Sequence, residues 1–154
     1  MVRHYSKQQV LDFLRSVSVM NLAVSSDDKP ISSVLLFHVD DDFTFYFGTH
    51  NDSYKAEAIR KDPNVSLSVW EHKKMLVQAD GVAEEILEPV TVDLVLNDIV
   101  TATNNIKDFW PPVLRIRGNG YAVFSIKTTW MRALDLQSDA ISEKELPFTM
   151  IVGD

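Results

Sequence analysis

The chain has 154 residues, a formal net charge of −7 and no cysteine. Its length suits a single domain over residues 1–154, and the absence of cysteine excludes disulfides, thiol nucleophiles and thiolate metal sites. The acidic charge argues against nucleic acid or an anionic membrane as a partner, because both carry negative charge themselves.

The first segment, "MVRHYSKQQVLDFLRSV", has the spacing of an amphipathic helix. Its apolar face comprises Val10, Leu11, Phe13, Leu14 and Val17. The segment lacks the continuous apolar core of a signal peptide, and no apolar run in the chain is long enough to span a membrane. We therefore expect a cytoplasmic protein.

Two strand patterns come next, "MNLAVSS" and "PISSVLLFHV". The second is apolar on both faces from Val34 to Val39, which predicts a strand in the middle of a sheet. Such a sheet needs cover on both sides, and a second copy of the chain is one way to supply it. The acidic triplet from Asp40 to Asp42 then predicts a tight turn into the strand "FTFYF".

The rest of the chain alternates helix and strand patterns. The helix "SYKAEAIRKD" ends before Pro63, the strands "VSLSVW" and "MLVQADGVAEEI" follow with a bulge at Gly81, and a helix opens at Pro89. After a break at Trp110, the pair Asn119-Gly120 predicts a hairpin, and "MRALDL" predicts a further strand. About seven strands at hairpin spacing with a few helices predict a small barrel with helices at its ends.

The turn between "FTFYF" and the next helix is rich in hydrogen-bonding side chains. If the hairpin centres on Asp41, antiparallel pairing places two serines of the preceding strand opposite this turn. A helix start offers free backbone N–H groups and a partial positive charge, so a lysine in the first turn is favourable only beside an anion. These features predict a phosphate pocket formed by Ser32, Ser33, Thr49, His50, Asn51, Ser53 and Lys55.

A second interpretation of the same segment needs no ligand. Asp52 or Ser53 is a favourable N-terminal cap for a helix, and the carboxylate of Asp52 is able to compensate Lys55. Polar helix starts are common for this reason, and the local sequence leaves the two interpretations equally supported.

The order of these elements adds a resemblance. Residues 18–86 resemble the core of the pyridoxamine 5′-phosphate oxidase-like family of FMN-binding split β-barrels, in its short, general-stress-protein-like branch. The most specific matches are the strand "VLLF", the turn at Thr49, the pair Ser53-x-Lys55 and the helix exit "KDPNVSLSV". The resemblance implies a mainly β (α+β) fold, a six- to seven-stranded antiparallel split barrel with flanking helices.

The family also implies a homodimer with FMN at the subunit interface. Main-chain groups of the second strand would contact the flavin ring, the helix start would hold the phosphate, and residues late in the chain would reach the partner's flavin. Core or dimer packing is the alternative role for these late residues, Trp130 and Arg132. The expected cofactor residues are Ser32, Ser33, Val34, Leu35, Leu36, Phe37, Thr49, His50, Ser53, Tyr54, Lys55, Trp130 and Arg132.

The chain departs from the family at three of these positions. Members that oxidise pyridoxamine phosphate have an arginine and a lysine where this chain has Ser32 and Phe37, and Tyr54 replaces a common arginine. A late Arg-x-His pair for the vitamin substrate is also missing. We therefore expect no vitamin B6 oxidase activity.

Two functions remain open from the sequence. The first is an FMN-dependent oxidoreductase that acts on an unidentified small molecule, without an assigned catalytic acid or base. The second is a dimer that binds, stores or senses a flavin or another planar cofactor, such as haem or a deazaflavin, without turnover. The four histidines have no metal-ligand spacing, so we expect no metal site.

Overall fold

The computed structural model describes residues 4–103, 120–137 and 148–153. Its three helices are α1 (Lys7–Val17), α2 (Tyr54–Lys61) and α3 (Pro89–Thr103). Its eight strands are β1 (Val19–Ser26), β2 (Lys29–Leu36), β3 (His38–Val39), β4 (Thr44–His50), β5 (Asn64–Glu71), β6 (Met75–Ile86), β7 (Tyr121–Asp135) and β8 (Phe148–Val152). All strand pairs are antiparallel, in the order β2-β1-β5-β6-β7-β4-β3 with β8 on β7.

The long strand β7 curls the sheet into a half-barrel. It pairs with β6 along most of its length, with β4 over its first half and with β8 over its second half. Side chains alternate between the two faces of each strand, and the inner face carries the fully buried aromatics Phe45, Phe47 and Phe124. The predicted split-barrel α+β fold is confirmed.

The three helices close different parts of this sheet. The apolar faces of α1 and α2 pack into the main core inside the half-barrel. A capping box begins α1, in which Ser6 and Gln9 bond to each other's backbone N–H groups. The third helix lies on the outer face, where Val95 and Ile99 pack against Leu36 of β2 and Val123 of β7.

The predicted second strand breaks at Phe37, which overturns part of the expected geometry. Before the break, β2 pairs with β1 alone and forms an edge of the sheet, so the expected central strand is wrong. Val34 is consequently 62% exposed. After the break, β3 pairs with β4 for only two residues.

This break also separates the residues that the sequence placed together by strand pairing. Ser32 and Ser33 lie opposite Ala23 and Leu22 of β1, and are not paired with the turn at Thr49. The end of β4 is paired with β7 instead. The prediction assumed one continuous hairpin, whereas β2 pairs with β1 and the end of β4 pairs with β7.

Of the other local predictions, the bulge at Gly81 and the end of α2 are confirmed. The pairing of β6 with β7 shifts by one residue at Gly81, and α2 ends before Pro63. The residues of "MRALDL" up to Asp135 are the end of β7 rather than a separate strand. The break at Trp110 and most of the predicted hairpin before β7 lie outside the described residues.

The two strand glycines differ in how much room surrounds them, which gives a test of the packing. A Cβ added at Gly81 would lie 2.6 Å from Ile126 Cγ2 and 2.7 Å from the Lys127 carbonyl oxygen. We expect Gly81→Ala to lower the free energy of unfolding by about 1–3 kcal/mol, because backbone must move. The measurement is chemical denaturation.

Gly48→Ala is the matched control. Its added Cβ would lie 3.0 Å from the flexible Leu96 side chain and farther from any backbone atom, so we expect a loss below about 1 kcal/mol. Equal losses for the two variants would contradict the packing at the bulge.

Candidate functional site

The site lies where β2 and β4 separate. On the N-terminal side of Phe37, β2 leaves β4 and pairs with β1. No strand of the described residues covers the outer edge of β2 or the edge of β4 from Phe47 to His50. Backbone N–H and C=O groups along such an edge need partners from solvent or from a ligand. The split therefore offers a row of hydrogen-bonding groups along β2.

A hydroxyl pair connects β4 to the start of α2. Thr49 is 4% exposed, and its Oγ1 donates to Ser53 Oγ at 3.1 Å. Ser53 is the N-cap residue and accepts a second bond from the Ala56 N–H at 3.1 Å. A hydroxyl has two acceptor positions and one donor, so the Ser53 O–H group remains available to donate.

The turn that precedes α2 is held in place by Arg60. Its Nη1 donates to the Asn51 carbonyl oxygen at 3.0 Å and its Nη2 to Asn51 Oδ1 at 2.7 Å. Its Nε also donates to Glu85 Oε1 of β6 at 2.9 Å. Sequence analysis missed this contact because nothing local relates Arg60 to Glu85. The bonds to Asn51 fix the start of α2, and the ion pair with Glu85 neutralises the charge of Arg60.

Lys55 is half-buried in the first turn of α2 and has no hydrogen-bond or ion-pair partner among the described residues. Burial lowers the pKa of its amine. A cation at this end of a helix also opposes the partial positive charge of the unpaired N–H groups. An anion bound here would relieve both unfavourable effects.

The predicted strand residues occupy three environments. Ser32 and Val34 are exposed on the outer face of the sheet. Ser33 faces inward, and its Oγ is buried without a hydrogen-bond partner among the described residues. Leu36 and Phe37 are buried and Leu35 is partly buried in hydrophobic clusters, so these three residues present mainly backbone groups to a ligand.

The structure separates His50 from Thr49. Thr49 points into the barrel, whereas His50 is exposed and its ring centroid lies 6.2 Å from that of Tyr121. The Tyr121 hydroxyl is buried without a partner in the described part of the chain, and this burial raises the pKa of Tyr121. Tyr121 was not among the predicted site residues, because its sequence pattern is that of an ordinary strand residue.

Trp130 and Arg132 lie on the outer face of β7, away from α2. The Arg132 guanidinium stacks 3.8 Å from the Phe148 ring centroid and 5.3 Å from that of Trp130. Its Nε donates to Gln78 Oε1 at 2.9 Å. Although β7 pairs with β4, the residue opposite His50 is Tyr121, and at about 3.3 Å per residue Trp130 lies roughly 30 Å farther along β7. One chain therefore does not bring these residues to the split.

Two other features bear on function. In residues 4–103, 120–137 and 148–153, no cluster of three or more histidine, aspartate or glutamate side chains is positioned to hold a metal ion. Among the same residues, no helix is both long enough and apolar enough to cross a membrane.

Residues 6–134 match the family described as pyridoxamine 5′-phosphate oxidase, which is more than four fifths of the chain. The chain belongs to this family. The matched region includes the split, the start of α2 and all of the strands except β8 and the last residue of β7. No curated protein matches the chain by sequence.

Solved structures of similar fold include three informative neighbours. A conserved hypothetical protein of Mycobacterium tuberculosis has a TM-score of 0.72 at 20% identity, covering 92% of this chain and 95% of its own. An FAD-binding protein of Mesorhizobium loti has a TM-score of 0.64 at 21% identity, covering 85% of this chain and 95% of its own. General Stress Protein 26 of Bacillus anthracis has a TM-score of 0.66 at 18% identity, covering 84% of this chain and 93% of its own. At these identities the likeness shows the shared fold.

The two lysines of α2 give a test of the site's electrostatics. Lys55 opposes the helix dipole in the first turn, whereas Lys61 lies in the last turn, where a cation is favourable. We expect Lys55→Gln to raise the free energy of unfolding of the ligand-free protein by a few tenths to about 1 kcal/mol. The measurement is chemical denaturation at low ionic strength.

Lys61→Gln serves as the control and should lower the free energy of unfolding by a few tenths of a kcal/mol. Both substitutions keep a good helix former, so intrinsic propensity changes little. If Lys55→Gln destabilised the protein as much as Lys61→Gln or more, Lys55 would be a structural residue.

Proposed function

We propose that the protein binds a flavin nucleotide in the split between β2 and β4, and uses it as an oxidoreductase on a small molecule. The observation that carries this proposal is Lys55, a half-buried cation without a partner among the described residues, at a helix start beside an open strand edge. The chain's membership of the pyridoxamine 5′-phosphate oxidase family supports the same cofactor class.

The phosphate end of the flavin would lie at the start of α2. The Ser53 O–H group, the Lys55 amine and the free N–H groups of the first turn all donate, which suits an anionic oxygen ligand. Bonds between an ammonium and a phosphate are roughly twice as strong as neutral ones. The residues present therefore fit one phosphate group.

The ring end would lie along the outer edge of β2. The backbone groups from Val34 to Phe37 that β1 and the Ser18 carbonyl leave unpaired supply donors and acceptors in a row, as a flavin pyrimidine ring requires. The Ser33 Oγ is buried without a partner among the described residues, and it is a further polar atom that a ligand would satisfy. FMN is the flavin implied by the sequence resemblance, and FAD shares its ring, ribityl chain and first phosphate.

We also propose a homodimer, formed through the outer face of β2, β1, β5, β6 and β7. Among the described residues, α3 covers one end of this face, and Val34, Trp70 and Met150 on it are 62%, 55% and 44% exposed. The register places Val34, Asn21, Ser68, Gln78, Arg132 and Met150 in one row across it. A second copy on this face would bring its own Trp130 and Arg132 towards the split.

A bound flavin supplies hydride and electron transfer, and the protein binds, orients and shields it. A reduced nicotinamide or a small organic donor would provide the hydride, and the acceptor would be a small molecule.

The second candidate function, flavin binding without turnover, is favoured by the neutral residues at positions 32, 37 and 54. An assay for oxidation of a reduced nicotinamide in the presence of an acceptor distinguishes the oxidoreductase from the non-catalytic flavin-binding protein. A cytoplasmic location remains a prediction of the sequence.

The role of Lys55 is tested by comparing FMN with riboflavin, which lacks the phosphate. We expect Lys55→Gln to weaken FMN binding about tenfold or more, because a charge-assisted bond of about 1.5–3 kcal/mol is lost. Riboflavin binding should change less than threefold. Quenching of flavin fluorescence on titration measures both affinities.

Lys61→Gln, at the other end of the same helix, should leave both affinities unchanged. A Lys55→Gln variant that bound FMN and riboflavin as tightly as the original protein would show that the phosphate lies elsewhere.

The dimer is tested by placing a charge on the open sheet face. We expect Val34→Asp to convert the protein to a monomer, since the carboxylate would be buried without a partner in the interface. Lys7→Asp is the control, because Lys7 is exposed on α1, which packs against the inner face of the sheet. Sedimentation velocity gives the masses, and a monomeric original protein would contradict the dimer.

A further inference from the structure

The turn that leads into α2 is held from two sides through Asn51. On one side, the Asn51 N–H donates to the Gly120 carbonyl oxygen at 2.7 Å. On the other side, Arg60 in the last turn of α2 donates to the Asn51 carbonyl oxygen at 3.0 Å and to Asn51 Oδ1 at 2.7 Å. Both backbone groups of Asn51 and its side-chain oxygen are therefore bonded, and the turn has little freedom.

Glu85 holds the Arg60 side chain in the orientation that these bonds require. Arg60 Nε donates to Glu85 Oε1 at 2.9 Å, and Nη2 of the same guanidinium contacts the same oxygen. A planar guanidinium presents its N–H donors as a rigid fork, so one side chain joins β6 to two acceptors on Asn51. The ammonium group of a lysine has no such fork and would not keep all of these contacts.

The bond from Arg60 also orients the side-chain amide of Asn51. A guanidinium has donors only, so the amide atom that faces it is the oxygen, and the Nδ2 group with its two N–H donors faces away. Asn51 is exposed, and its Nδ2 has no hydrogen-bond partner among the described residues. These oriented donors lie two residues before Ser53, the N-cap of α2.

We infer that Arg60, anchored by Glu85, is a positioning residue for the anion site at the start of α2, and that it acts by directing the Asn51 amide donors to the ligand. This inference rests on the proposed function. The sequence placed Asn51 in the phosphate pocket but assigned no role to Arg60 or Glu85, which join the site only through the folded chain.

The alternative role for Arg60 is through-space attraction of the anion, and Arg60→Lys distinguishes the two roles because it keeps the charge and removes the fork. We expect this variant to weaken FMN binding about tenfold, since the Asn51 donors are no longer held in place. Riboflavin, which lacks the phosphate, should bind within about threefold of its original affinity, because its lost contacts are none. Quenching of flavin fluorescence measures both affinities. Lys61→Arg, the opposite exchange at the next and exposed position, is the control and should change neither affinity.

A double-mutant cycle tests whether Arg60 acts through Asn51. We expect Asn51→Ala to weaken FMN binding about tenfold, because the amide donors are removed. Adding Arg60→Lys should then cost less than about threefold more, since the group that Arg60 positions is already absent. Two independent effects would instead multiply to about a hundredfold. Chemical denaturation without ligand verifies that each variant is folded.

The possible failures are distinguishable. If Arg60→Lys bound FMN as tightly as the original protein, or if the losses in the cycle multiplied, the inference would be overturned and the flavin function would stand. Equal losses of FMN and riboflavin affinity would also overturn it, because Arg60 would then support the fold alone. If the original protein bound neither flavin, the proposed function and the inference would be overturned together.

Discussion

The architecture depends on the change of pairing partner at Phe37, where the chain passes from β2, paired with β1, to β3, paired with β4. The Phe37 side chain is buried against Phe45, and its N–H donates to the Ser18 carbonyl oxygen at 3.2 Å. This anchor directs the preceding strand to β1, while β4 pairs with β7. Had the hairpin continued, the two strands would have satisfied each other and no edge would remain. The split therefore creates the candidate binding site.

The elements around the split share a property: each contains a group that the described residues leave without a partner or without cover. Lys55 has no partner in the described part of the chain, the Ser33 Oγ is buried without one, and Val34 is exposed at an edge. Each costs stability in one ligand-free chain. A flavin nucleotide and a second subunit would satisfy all three, and natural proteins commonly accept such costs at functional sites.

The sequence predicts well what local chemistry decides. The apolar face of α1, the end of α2 before Pro63 and the bulge at Gly81 follow from spacing and residue type. The break at Phe37 does not, because the stretch from Val34 to Val39 is apolar except for His38 and does not indicate which strand each half pairs with. The bonds from Arg60 to Glu85 join residues 25 positions apart, and no local pattern indicates them. The phosphate and cap interpretations of Ser53 prove compatible, since the capping hydroxyl keeps a free donor.

The visible absorption spectrum of the purified protein, recorded before and after addition of flavin nucleotide, tests the central claim most directly. The structure leads us to expect one flavin per chain, with a shifted and better resolved absorption band and with fluorescence quenched until that ratio is reached. Absence of any spectral change at millimolar flavin would contradict the account. The fold would stand, and the split between β2 and β4 would have to serve a different ligand.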